Sequence, residues 1–190
     1  TGLDKARALD CLAKAVYYEA ASESEGGQRA VAQVVLNRVA HPAYPKTVCG
    51  VVYQGSQRST GCQFTFTCDG ALARTPGAAA WSRAREIARA ALAGKVYKPV
   101  GYATHYHTDW VVPYWSGSLD KIAAVGTHLF FRWRGAPPAS EATRSTRQAT
   151  GAPPSPCPNN RLCHQLAHLS GEARRIADGA ALSEEALVVD

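Results

Sequence analysis

Apolar residues recur at helical spacing over residues 5–20 (KARALDCLAKAVYYEA), where Ala8, Cys11, Leu12, Ala15, Val16 and Glu19 share one stripe. The stripe is apolar until its last member, a carboxylate. Ser22, Glu23 and Ser24 with Gly26-Gly27 interrupt the pattern, and a second helix is predicted from about 27 to 39 on Ala30, Val31, Val34, Val35 and Arg38. His41-Pro42 and Tyr44-Pro45 close it, because Pro cannot continue a helix. Residues 47–54 form a short apolar piece, helical or extended. CQFTFTCDG (62–70) alternates aromatic and β-branched residues and reads as a strand or hairpin. Residues 76–92 form a further helix, with Pro76 near its start, Gly94 beyond its end, and Trp81, Ala84, Ile87, Ala88 and Ala91 on the buried side. The stretch 97–117 is loop-like and aromatic, and 119–133 combines a short helical turn with the apolar end LFFRW. The expected core is mostly helical with little strand.

From Gly135 to Pro158 the composition shifts to Pro, Ala, Ser and Thr, the mark of a linker or loosely ordered arm. A last amphipathic helix is predicted over about 161–177. The expected organisation is therefore one domain over 1–135, an arm over 136–158 and a helical extension over 159–190. No apolar run approaches the ~18 residues of a membrane span, so no integral membrane segment is expected. The chain opens at Thr1 and contains no Met, the pattern of a chain trimmed after synthesis.

Charge changes the picture modestly. The net charge of +6 divides into +7 over residues 1–135 and −1 over the remainder. That balance suits an anionic polymer such as nucleic acid or bacterial wall, but there is no dense Lys/Arg run, and general solvation accounts for it equally well. Six cysteines, at 11, 49, 62, 68, 157 and 163, include no CxxC pair, so disulfides and an oxidising compartment are expected rather than a zinc ribbon. The local pairs Cys62–Cys68 and Cys157–Cys163 are the natural choices and leave Cys11–Cys49, among 15 connectivities that six cysteines allow. If Cys62 and Cys68 are bonded, the segment cannot be straight. Six extended steps span roughly 20 Å, whereas bridged Cα atoms lie about 5.5–6 Å apart.

Three groups of residues carry candidate chemistry. Glu19, at the end of an apolar face, is expected to be partly desolvated, and desolvation raises a carboxyl pKa towards the range of a proton donor to a glycosidic oxygen. Glu23 is the fallback for that role, although it and Glu25 also suit the N-terminus of the next helix through its dipole. His105-Tyr106-His107 puts two imidazoles on one face of an extended chain, where Asp109 or His128 could complete a metal site, although hydrogen-bonding histidines of a cleft are the commoner meaning of a lone HxH. Nine of the sixteen aromatic residues lie between Tyr97 and Trp133. Of these, Tyr106, Trp110, Tyr114 and Trp115 suit either a cleft wall, whose rings can pack on sugar faces, or the packing of a loop. No GxSxG, P-loop, GxGxxG or HExxH motif is present.

Several ordered blocks together resemble a known family. Val16-Tyr-Tyr-Glu19-Ala20, Glu23, Gly27-Gln28 and Asn37-Arg38-Val39 are similar to the signature of the SleB/CwlJ-type cell-wall hydrolases, first known from spore-cortex-lytic enzymes. Pro42-Ala-Tyr-Pro45, Val48-Cys49-Gly50-Val51-Val52, Cys62-Gln-Phe64, Asp69-Gly70, His105-Tyr-His107-Thr108, Pro113-Tyr-Trp115 and Gly126-Thr-His128-Leu-Phe130 continue it, so the resemblance covers about residues 10–134. It implies a mostly α (α+β), lysozyme-like domain with a short hairpin or loop at the cleft, plus the C-terminal arm. The implied activity is cleavage of the peptidoglycan glycan strand at the MurNAc–GlcNAc β-1,4 bond, as a lytic transglycosylase with one Glu as acid and base. That Glu maps onto Glu19. The family's Glu-Ala-Arg-Gly-Glu pattern is broken here at Ala21 and Ser22.

On this reading Tyr18, Gln28, Gln63, Thr65, Asp69, His105, Tyr106, His107 and Trp115 are the expected substrate contacts, and no cofactor is required. The expected partner is the peptidoglycan glycan strand, not nucleic acid, in the periplasm or outside the cell. An unidentified regulatory protein is a further expected partner for a potentially lytic enzyme. Two other readings stay open on the residues alone: a zinc-dependent amidase or peptidase using His105, His107 and His128, and a non-catalytic wall-binding module.

Overall fold

The computed structural model describes residues 2–58 and 61–135, and the predicted arm, the helix over 161–177 and the Cys157–Cys163 pair lie outside them. Helix α1 (Gly2–Ala20) buries Cys11, Leu12, Ala13, Ala15, Val16 and Ala20, which is the predicted stripe with its neighbours. Ser24 then caps α2 (Glu25–Ala40) by accepting from the Gly27 amide at 3.3 Å. Nearly every residue of α2 from Gly27 to Val39 is buried, so this helix is central, and its low amphipathicity follows from having protein on all sides. The short α3 (Val48–Val52) is capped by Thr47 and tied to α1 by the Cys11–Cys49 disulfide. Helix α4 (Ala78–Leu92) covers α1 and α2 with Ala84, Ile87, Ala88 and Ala91.

A three-stranded antiparallel sheet completes the unit: β1 (His105–Thr108), β2 (Asp120–Val125) and β3 (His128–Arg132), in the order β1-β3-β2. Opposed pairs fix its two faces. Tyr106 lies opposite Phe130 and Thr108 opposite His128, while His105 lies opposite Phe131 and His107 opposite Leu129. Tyr106 and Phe130 belong to the main core. The second face is covered by Trp115, packed against His105, His107 and Phe131, and by Trp133 over His105. Between β2 and β3 the register shifts at Lys121/Ala123, a bulge in the outer strand.

This sheet replaces the loop and helical turn predicted for 97–133, and the strand or hairpin predicted for 62–70 gives way to the bend that the Cys62–Cys68 bond requires. There Thr65–Thr67 make one 3-10 turn under the Cys62–Cys68 bridge, whose Cα atoms are 6.5 Å apart. The bridge and Gly70 (φ +82°) bend the segment, yet Phe64 and Phe66 still reach the core, so the alternation read as a strand comes from a turn.

Helix α2 also places β1. Gln33 Nε2 donates to Asn37 Oδ1 (2.9 Å), Asn37 Nδ2 donates to the carbonyls of Gly101 (2.9 Å) and Ala103 (2.8 Å), and Arg38 Nε donates to that of Thr104 (2.6 Å). The Tyr97 amide donates to Gln33 Oε1 at 2.9 Å. One row of buried polar side chains thus satisfies the backbone of 97–104 just before β1 begins. Replacing Asn37 by Ala leaves two buried carbonyls without their donor. The expected loss is about 2–3 kcal/mol in urea unfolding.

Candidate active site

Glu19 occupies the next-to-last position of α1, where the helix stripe meets β1 and the 62–70 loop. Tyr106, 87 residues away in sequence, donates its hydroxyl to Glu19 Oε2 at 2.9 Å. Burial pushes the Glu19 carboxyl from 4.5 up to about 7, against the opposing pull of the Tyr106 hydrogen bond and the Arg38 charge; Asp69 adds to the rise. The Tyr106 hydroxyl is driven well above its ordinary range, by burial first and by the Glu19 charge next, so it remains a donor at any physiological pH. Arg38 is itself almost wholly buried, its guanidinium 5.4 Å from the Phe64 ring centre and 5.6 Å from that of Tyr44. Its Nη1 has no hydrogen-bond partner among the described residues. A proton-holding carboxyl, a fixed phenol and a buried cation are therefore assembled from α1, β1 and α2.

The 62–73 segment borders this group. Tyr18 stacks on Phe66 at 4.8 Å and donates to the Ala71 carbonyl at 3.3 Å. The exposed Asp69 accepts from the Ala71 amide at 2.7 Å, which holds its carboxylate in place, and Thr65 beside it is half-buried. Gln63 is buried. Gln28 is buried too, donating to the Glu23 carbonyl at 3.2 Å, so it braces the α1–α2 junction. Glu23 is only 13% exposed and accepts from the Thr127 hydroxyl at 2.5 Å.

The three histidines do not converge. His105 and His107 share one face of β1, whereas His128, opposite Thr108, shares the other with Tyr106. Among the described residues no group of three His, Cys, Asp or Glu is arranged to hold a metal. His105 and His107 are each 5% exposed and packed against Trp115, so they form the support of the strand rather than an open wall. Burial, with Arg38 and His41 adding to it, lowers His105 to about 3 and keeps it neutral. Of the expected aromatic wall, Tyr106 is buried on Glu19 and Trp115 is half-buried, while Trp110 and Tyr114 are exposed. Sequence reasoning missed Arg38 and Thr127 as members of the site. Arg38 did carry a signal, a cation at a position of an otherwise apolar helix stripe.

Comparison with known proteins gives this arrangement a family. The signature of the Cell Wall Hydrolase family matches residues 22–131, starting three residues after Glu19. The spore cortex-lytic enzyme of Halalkalibacterium halodurans is 36% identical over 123 residues, 64% of this chain and 34% of that protein. That of Bacillus cereus is 32% identical over 123 residues, again 64% of this chain and 43% of that one. The chain thus spans well under half the length of these curated relatives. Two solved structures are similar: the catalytic domain of Bacillus cereus SleB (31% identity, TM-score 0.51, covering 66% of this chain and 89% of that one) and the catalytic domain of the germination-specific lytic transglycosylase SleB from Bacillus anthracis (32%, 0.54, 66% and 93%). With its α+β architecture and more than half of its length inside the signature, the chain belongs to the Cell Wall Hydrolase family.

Proposed function

We propose that this protein cleaves the glycan strand of peptidoglycan at the MurNAc–GlcNAc β-1,4 bond as a lytic transglycosylase, with Glu19 as its single acid and base. The observation that carries the reading is the Glu19 carboxyl raised to about 7 by burial and held by a phenol that does not ionise. The family and the SleB neighbour titled a lytic transglycosylase support the substrate and reaction class.

Protonated Glu19 gives its proton to the glycosidic oxygen as the C1–O bond breaks, leaving an oxocarbenium-like sugar and a Glu19 carboxylate. Tyr106 and Arg38 both favour that carboxylate, so they assist the moment at which the proton leaves. The carboxylate then takes the proton from the MurNAc O6 hydroxyl, whose oxygen closes on C1 to give a 1,6-anhydro end. Glu19 ends the cycle protonated, and no water or cofactor enters. In this reading Asp69 and Thr65, on the bordering loop, contact the sugar, supported by the exposure of Asp69 and the half-burial of Thr65. Two disulfides among the described residues support a periplasmic or extracellular setting, where the polymer lies.

Glu19→Gln is expected to keep the fold and to lose about 10²–10⁴ in turnover of purified sacculi, the range for removing a general acid. Mass spectrometry of the wild-type products should find 1,6-anhydro ends; reducing ends throughout would make the enzyme a hydrolase. Because the reaction starts from protonated Glu19, kcat is expected to decline as pH rises through about 7. The same shift acts on stability. Between 4.5 and about 7 the folded protein holds a proton that the unfolded chain has lost, so ionising Glu19 costs stability as pH rises through that window. Glu19→Gln should therefore melt above wild type at about pH 8 and lose that advantage below about pH 5. Treatment with a chelator should leave turnover unchanged, since the imidazoles lie on opposite faces of the sheet; a loss restored by zinc would favour the amidase reading.

A further inference from the structure

Glu23 is a second carboxylate with no part in the proton transfers above, yet it is held more tightly than a helix-cap residue requires. It follows α1, and its amide donates to the Ala20 carbonyl at 3.0 Å. Its Oε1 accepts from Thr127 Oγ1 at 2.5 Å and lies 3.5 Å from His128 Nδ1, beyond normal hydrogen-bond length. Its Oε2 rests directly over Gly126, where any Cβ would overlap it. Gly126 (φ +59°) and Thr127 are the two central residues of the β2–β3 hairpin, with Gly in the first position as a type II′ turn prefers. Glycine is needed there twice, for the backbone angle and for the space the carboxylate fills.

The turn leads to Tyr106 by two routes. The Thr127 carbonyl accepts from the Asp109 amide at 2.9 Å, which ties the turn to the end of β1. The next residue, His128, sets its ring edge-on against the Tyr106 ring at 5.3 Å, and Phe130 packs on the same ring at 5.7 Å. The position of the phenol that grips Glu19 is thus fixed by a hairpin whose tip is fastened to the α1–α2 junction.

We propose that Glu23 is a positioning residue: its carboxylate clasps the β2–β3 turn through Thr127 and Gly126, and so holds the Tyr106 hydroxyl on Glu19. Its importance for catalysis rests on Glu19 being the acid. The groups that face Glu19 are Tyr106 from β1, Arg38 from α2 and Asp69 from the bordering loop; His128 feels the charges of Glu23 and Asp109, and least that of His107 across the sheet. Two effects of opposite sign follow. Loosening Tyr106 removes a hydrogen bond that favours the Glu19 carboxylate and raises its titration midpoint, whereas merely deleting a neighbouring negative charge would lower it.

The test is NMR titration of the Glu19 carboxyl in the free protein, with turnover on glycan fragments, for wild type, Thr127→Val, Glu23→Gln, Tyr106→Phe and the exposed control Glu25→Gln. Thr127→Val is the cleanest variant because it removes the donor to Glu23 without changing charge or side-chain shape. Tyr106→Phe should raise the Glu19 midpoint by up to about one unit, the scale of one hydrogen bond. Thr127→Val and Glu23→Gln should raise it by part of that amount and lower kcat about tenfold at unchanged KM. Thr127→Val added to Tyr106→Phe should move the midpoint no further. Glu25→Gln should match wild type. An unchanged midpoint in folded Thr127→Val overturns the proposal, and if Glu23→Gln is then inactive, Glu23 acts on the sugar itself. If Glu23→Gln does not fold, Thr127→Val decides alone. Full turnover by Glu19→Gln would overturn the acid assignment and leave the titration result standing.

Discussion

A carboxyl group that must stay protonated near neutral pH has to be taken out of water, and the surrounding fold is arranged to do that to one side chain. Glu19 sits at the last turn of a helix whose stripe residues Cys11, Leu12, Ala15 and Val16 are buried, so its position is set by the packing of α1 and not by a flexible loop. Its contact is a tyrosine from the far side of the sequence, itself buried and unable to ionise in the working range. Desolvation alone would carry the pKa further up; Tyr106 and Arg38 pull it back to where the proton can both leave and return. The balance of these opposed effects, and not any one of them, makes the group suited to two consecutive proton transfers.

The burden of holding that balance falls on α2 and on the hairpin. The row Gln33, Asn37 and Arg38 fixes the approach to β1 through backbone carbonyls, and Arg38 also lends its charge to the site. A buried guanidinium between two aromatic rings is costly unless it is used. Here it both braces a strand and tunes an acid. From the other side, the turn at Gly126-Thr127 holds the same strand against Glu23.

The helical part of this design was legible in the sequence because helices advertise themselves locally. Cys11, Leu12, Ala15 and Val16 at helical spacing, followed by a carboxylate, marked Glu19 as a group on an apolar face, and Cys11–Cys49 and Cys62–Cys68, preferred among fifteen connectivities, are both formed. The sheet was not legible. His105 to Thr108 is buried on both faces, so it shows no polar–apolar alternation, and only tertiary packing tells Tyr106 from its histidine neighbours. The one clear alternation, QFTFT, belongs to a bridged turn whose Phe64 and Phe66 reach the core without a strand. The Gly126-Thr127 step between two apolar runs was the available sign of a hairpin. That Tyr106 should meet Glu19, or Thr127 meet Glu23, lies in no local pattern at all.

The face alternation of β1 has a consequence for how this domain can change length. Moving that strand by a single residue would withdraw the phenol and offer Glu19 an imidazole, so insertions and deletions are barred along β1 and the 97–104 approach that the α2 row holds. The irregular step at Lys121/Ala123 in β2 is different, because an extra residue is already absorbed there without disturbing the β1–β3 pairing. Divergent homologues should therefore gather their gaps on that outer strand and in the loop ahead of it, and stay gap-free along the path that brings Tyr106 to Glu19.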